Sequence, residues 1–271
     1  HAPSDRAGLL ETFGNWGVES GGSWARAFEH IGHTALGFLK LLVGRAKVNW
    51  GDFTLQLQTA GVDALPIVAL LGFLTGLIMA YVGLIQLRQV GATIYVANLV
   101  SLAMTREMGA LMTGVIACGR TATSFASQLG SMNVSQETDA LRAIGISPME
   151  VLVLPRVIGL VIALPLLTVV ADAVGILGGA LLCYSLLDMP FVQYFQRVHE
   201  TVGAWTFWVG IIKAPVFALL IAGAGAYRGM QVRGSSRELG RLTTMAVVQA
   251  IFLVIVLDAF FAVFFSQIGW I

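Results

Sequence analysis

The chain has 271 residues, 57% of them apolar and only 11% charged, and its formal charge at pH 7 is +1. Soluble domains carry about 25% charged residues, so this composition, with a mean hydropathy of +0.82, excludes a soluble globular domain. The small net charge says little about partners, because where the charges lie matters more than their sum; no nucleic-acid partner is expected.

Residues 1–20, "HAPSDRAGLLETFGNWGVES", are Gly-rich and polar and read as a linker. The chain starts with His1 and carries no basic-apolar-small leader, so a processed or truncated front is expected. Within 21–60, Trp24, Phe28, Ile31, Ala35, Leu39 and Leu42 recur at helical spacing. Arg26, Glu29, His33, Lys40 and Lys47 lie opposite them, the pattern of an amphipathic helix in the membrane interface. His30 and His33 sit one turn apart, but with no Cys or carboxylate in register they read as solvated interfacial histidines, and no metal site is expected. Ala64 to Leu87 then runs without an Asp, Glu, Lys or Arg, long enough to cross ~30 Å of hydrocarbon as a helix. Further apolar spans are predicted at 94–119, 157–187, 204–227 and 242–266. The fold class is therefore all-α, a polytopic membrane bundle of five crossings behind an N-terminal amphipathic helix. Lys and Arg concentrate before the first span, between the second and third, and at Arg228, Arg233, Arg237 and Arg241. The positive-inside rule puts those segments, including 120–156, in the cytoplasm and the C-terminus outside.

The spans carry Arg106, Glu107, Asp172, Lys213 and Asp258. Each is costly facing lipid, by about 2.5–3.5 kcal/mol for Arg, Lys or Asp on insertion scales, so these residues are expected to face one another or a wet cavity. Lys213 and Asp258 both fall roughly 12 Å below the outer surface and could pair. Arg106 and Asp172 both come out near mid-membrane, with each other or Glu107 as candidate partners. Two readings stay open: an interhelical lock, and a proton or ion relay. Small-residue ridges at Gly72 and Gly76, at Gly175, Gly178 and Gly179, and across Ala222–Ala226 predict close helix packing. Cys118 and Cys183 lie in apolar stretches and read as small buried thiols. "GAGAYRG" from Gly223 follows no strand and is rejected as a dinucleotide loop. The sequence has no G-x-x-x-x-G-K-[ST], H-E-x-x-H or G-x-S-x-G motif, so no enzyme and no ATPase site of its own are expected. Energy for transport would come from an ion gradient or a separate ATPase subunit.

One polar stretch, Ser135 to Arg156, interrupts the hydrocarbon. Ser135 or Thr138 can cap a helix, Glu137 and Asp139 suit its positive end, and Gly145 then Pro148 stop it. Ala140, Leu141 and Ile144 give an apolar patch one turn wide. On residues alone this short helix, about 135–147, either lies against the membrane interface or docks on another protein.

The segment "TREMGALMTGVIACGRTATSFASQLGSMNVSQETDALRAIGISPMEVLVLPR" closely resembles the signature region of the MlaE (YrbE-type) permease family. The matches are Arg106–Gly109, Gly119–Ala122, Ser127–Met132, Glu137–Leu141 with Gly145 and Pro148, and Pro155 with Arg156; they continue around Lys213, Gly240 and Asp258. The resemblance covers about residues 25–271, with 61–271 as the permease transmembrane domain. One departure is Ala110, where the family often has Pro, which removes the usual cause of a kink there.

The resemblance implies a homodimeric permease subunit of an ABC-type phospholipid transporter in the bacterial inner membrane. It also implies a cytoplasmic ABC ATPase subunit that holds ATP and Mg, a periplasmic MCE-domain protein and, in some relatives, a STAS-domain partner. The short loop helix would be the coupling helix, contacting the ATPase through Glu137, Asp139, Leu141, Arg142, Ile144 and Pro148. Two copies would enclose a cavity toward the periplasm, with Met79, Val82 and Gln86 of the first span and Phe261, Phe264 and Phe265 of the fifth against acyl chains. The alternative is an ion-coupled secondary transporter using Glu107 and Asp258.

Overall fold

The computed structural model describes Gly32 and residues 50–269. The expected linker, the amphipathic helix before residue 50 and the His30/His33 pair lie outside the described residues. Helix α1 (Trp50–Ala60) and a 3-10 turn (Val62–Ala64) lead into α2 (Leu65–Gln89), which opens on a proline at its first turn, where no N–H is needed. The second span is assembled from α3 (Val96–Ala103), a π-turn (Met104–Met108), α4 (Gly109–Ala117), a second π-turn (Cys118–Ala122) and α5 (Thr123–Val134). Then come α6 (Glu137–Ala143), a π-turn (Met149–Val153), α7 (Leu154–Leu187), α8 (Phe191–Thr201), α9 (Ala204–Met230) and α10 (Ser236–Ile268). No strand occurs among the described residues. Among the described residues, five helical stretches are long and apolar enough to cross a membrane: Phe53–Gln89, Thr93–Val134, Met149–Leu187, Ala204–Met230 and Ser236–Ile268.

The second span runs fifteen residues beyond the expected end at 119, so 120–134 is helix and not part of a cytoplasmic loop. Hydropathy fades there because the outward positions turn polar. Phe125, Ala126, Leu129 and Gly130 still face the core at helical spacing, and that burial carries the helix on. Around Ala110, where the family often has proline, π-turns lie on both sides of α4 within the span.

The predicted glycine ridges meet each other. A Cβ on Gly72 would lie 3.0 Å from the Ala171 carbonyl oxygen, and one on Gly76 would collide with the carbonyl of Gly175. A Cβ on Gly178 would collide with the carbonyl of Phe73. Helices α2 and α7 therefore touch backbone to backbone, the arrangement small residues permit where lipid supplies no hydrophobic drive for association. The third ridge serves α9: a Cβ on Gly225 would lie 2.9 Å from the Ala122 carbonyl oxygen, and one on Gly229, just beyond the ridge, as close to that of Ala126. Around these seams lies a central core that includes Phe125, Leu129, Leu160, Leu164, Phe217 and Ile221. A second cluster gathers Ala80, Val96, Val100, Met104 and Tyr194. Cys118 and Cys183 are both buried and free.

Candidate functional site

The intramembrane charges converge on α9. A side chain on Gly210 would strike the Thr105 carbonyl, so its absence lets α9 lie against the first π-turn and bring Lys213 to it. The Lys213 side chain is fully buried, and its ammonium donates to Glu107 Oε2 at 2.5 Å, Asp258 Oδ1 at 3.1 Å and the Arg106 backbone oxygen at 3.4 Å. An ammonium has three N–H donors, and all three have acceptors here. Glu107 Oε1 also meets Arg106 Nε at 3.4 Å, which makes a neutral set of two cations and two anions. A set of this kind is expensive to break, because one survivor would be left charged and buried.

Asp172 stands apart from this set. Depth along the helix axis matched it with Arg106, but α7 meets the second span on the face of Met104 and Gly109, while Arg106 turns to Glu107 on another. Its carboxylate packs against Gly109, where a Cβ would collide with Oδ1, and neither oxygen has a hydrogen-bond partner among the described residues. Of its two candidate partners, Arg106 therefore takes Glu107 and not Asp172: rise per residue fixes depth, and only packing fixes azimuth.

The loop helix is α6. Its start differs from the expectation, since Gln136 is the cap in a left-handed conformation (φ 61°) and makes no side-chain cap bond. Ser135 Oγ instead pairs with Glu137 Oε1 at 2.8 Å. Thr138 is fully buried and donates to Asn133 Oδ1 at 2.5 Å. Asn133 Nδ2 in turn donates to the backbone oxygens of Met230 (3.1 Å) and Val232 (2.6 Å). Thr138, which the sequence offered as a cap, thus fastens α6 through Asn133 to the end of α9. The end of α6 is a Schellman stop, with Gly145 (φ +80°) donating to Arg142 O and Ile146 donating to Leu141 O. Ile144 is 70% exposed, Ala140 is exposed and Leu141 is half-buried, so the apolar patch is uncovered. Glu137, Asp139 and Arg142 are exposed beside it, and Arg142 pairs with Asp139 at 3.0 Å. Pro148 is corrected: it is buried at the head of the turn into α7 and offers no docking surface.

The expected lipid contacts divide. Val82, Gln86 and Phe264 are exposed; Met79 is half-buried against the second cluster, and Phe261 is half-buried within ring distance of Phe217 (6.4 Å). Phe265 is corrected, being only 4% exposed and stacked on Phe261. Helix α8, which lies in the connection after α7, was missed. Phe191, Tyr194, Phe195 and Val198 at helical spacing were its signal in the sequence. Tyr194 is fully buried, its hydroxyl has no partner among the described residues, and burial above all, with the Cys183 thiol adding, pushes its phenol above the ordinary range. Asn98 holds the end of α8 through Thr201 at 2.6 Å.

The family description "Permease MlaE" matches residues 53–264. The chain belongs to the MlaE permease family. Its MlaE-type core thus runs from α1 to α10 and includes the junction at Lys213 and helix α6. "Protein TRIGALACTOSYLDIACYLGLYCEROL 1, chloroplastic" of Arabidopsis thaliana is 28% identical over 85% of this chain and 66% of its own length. A Rickettsia prowazekii protein named "Probable ABC transporter permease protein RP096" is 32% identical over 74% of this chain and 78% of its own length. The Haemophilus influenzae "Intermembrane phospholipid transport system permease protein MlaE" is 25% identical over 85% of this chain and 90% of its own length.

Proposed function

We propose that this MlaE-type chain is the permease subunit of an ABC-type phospholipid transporter in a bacterial inner membrane, exchanging lipid with a periplasmic MCE-domain assembly and driven by a separate ATPase. The observation that carries the reading is α6. It is a short helix at the basic end of the bundle, with Ala140 and Ile144 uncovered, and it is hydrogen-bonded through Thr138 and Asn133 to the end of the helix that carries Lys213. Such a helix is a handle: force applied to its patch reaches α9 through bonds and not through solvent. The family and the names of its relatives support the motor and the lipid. Two copies would be joined through surfaces such as the uncovered face of α10. Val82 and Gln86 of α2 and Phe264 of α10 would then face the acyl chains. The four-charge junction acts as an interhelical lock that keeps α9, α10 and the second span in register while the cavity changes volume.

Leu141→Asp tests the motor contact. The variant is expected to insert in the membrane but to lose co-purification with the ATPase; retained co-purification overturns the coupling role. Transport driven by a pH gradient with no ATPase present would overturn the reading in favour of an ion-coupled carrier using Glu107 and Asp258.

A further inference from the structure

Where α9 ends and α10 begins, a cavity of about 400 Å³ is lined by Arg228, Arg233 and Arg241 on its polar side and by Leu242 and Met245 on its apolar side, with Glu238 as its acid. Arg228 is not a freely solvated membrane-end arginine. It is half-buried, Nε donates to Gln249 Oε1 at 2.8 Å, Nη1 donates to Gln231 Oε1 at 3.2 Å, and the guanidinium lies 5.3 Å from the Tyr227 ring centroid. Two amide oxygens thus orient it without neutralising it, leaving the remaining N–H donors of its fork available. Among the described residues no carboxylate lies within salt-bridge distance of Arg228, Arg233 or Arg241. Glu238 is engaged with backbone, accepting from the Arg233 N–H at 3.2 Å. Gln249, 3% exposed, keeps its own amide nitrogen without an acceptor, so the arginine's neighbour is short of an anion or oxygen too.

We propose that this cavity binds the headgroup phosphate of an anionic phospholipid belonging to the leaflet at that end of the bundle. Three guanidiniums with one acid leave an excess of positive charge, which a phosphate diester satisfies with planar two-point hydrogen bonding. The apolar wall distinguishes a lipid from a soluble phosphate. Met245 at the rim continues into Val248, Phe252 and Ile255, all exposed on one face of α10 at helical spacing, so an acyl chain leaving the headgroup has a track into the hydrocarbon. A basic pocket between helices at a membrane surface is the arrangement that holds acidic lipid headgroups. The site lies at the opposite end of α10 from Phe264 and is independent of the transport reading; losing either leaves the other standing.

The test is native mass spectrometry of the full chain released from detergent with equal amounts of dioleoyl phosphatidylglycerol and dioleoyl phosphatidylcholine. Phosphatidylglycerol is expected to be retained about tenfold over phosphatidylcholine, and Arg233→Gln and Arg241→Gln should each lower that retention roughly fivefold. Both residues are exposed, so these variants fold whether or not Arg228→Gln does. Equal retention of the two lipids, or retention unchanged in both variants, overturns the site. Full displacement by inorganic phosphate, but not by chloride at matched ionic strength, would make it a soluble-anion pocket and overturn the lipid assignment. So would variants that keep the lipid but lose the co-purifying ATPase, which would make it a protein-docking surface.

Discussion

The α2–α7 seam and the junction around Lys213 both hold membrane helices together, the first by removing side chains from the contact and the second by pairing four charged ones around a buried ammonium. At the seam, Gly76 against Gly175 and Gly72 against Ala171 let main chains touch, and attraction is dispersion spread along the two helices. At the junction, one ammonium between Glu107 and Asp258 joins α9 to α10 and the second span through directed bonds. At Gly76 and Gly178 the seam admits no side chain unless a backbone shifts. The junction depends instead on the balance of charge among its four side chains.

The largest break goes to the seam. Gly76→Leu places a side chain on the Gly175 carbonyl, and the cost is expected to pass about 4 kcal/mol, read as loss of the monodisperse peak on detergent size-exclusion. Persistence of that peak with an unchanged melting temperature would show that the seam can open. Next comes Lys213→Met, which leaves Asp258 without a cation and Glu107 with Arg106 alone. It should lower stability by about 3–5 kcal/mol, and adding Asp258→Asn, which leaves the neutral Arg106–Glu107 pair, should restore most of the loss in thermal melting. Failure of the double variant to recover would show that the charges do more than balance one another.

Asn133→Ala is the intermediate case, since it frees the carbonyls of Met230 and Val232 and releases α6 from α9. The expected cost is about 1–2 kcal/mol, with the ATPase still co-purifying and ATP-driven lipid movement reduced. Movement at the full rate would place the force path elsewhere. Smallest is Tyr194→Phe in the second cluster. Its hydroxyl is buried without a partner, so removing it should leave the melting temperature unchanged or slightly raised, within about 0.5 kcal/mol. A marked drop would mean that the hydroxyl is satisfied after all.

Much of the bundle was legible because hydrocarbon imposes a strong rule: each backbone group must be bonded within its own helix, so a long uncharged run can hardly be anything else. The Lys213–Asp258 pair followed from equal depth, and Gly145 at the end of α6 from its freedom to take a positive φ. Azimuth was not legible. Arg106 and Asp172 share a depth but not a face, Phe265 sits one position from exposed Phe264 and is buried, and Pro148 points into the fold. The extension of the second span to Val134 was hidden for a related reason. A hydropathy window averages all faces of a helix, whereas only the inward one decides whether the helix continues.

By itself, the amino-acid sequence determined the solvent, the five crossings, the glycine ridges, the family signature and the position of one uncovered amphipathic turn, because each is a property of consecutive residues. Tertiary structure alone decided that Lys213 spends its three donors on two other spans. It alone decided that Thr138 and Asn133 tie the loop helix to α9, and that Arg228 is held without a counter-ion beside an apolar wall. Those contacts join residues up to about a hundred positions apart. Their partners are selected by the rotation of one packed helix against another, which no local pattern encodes.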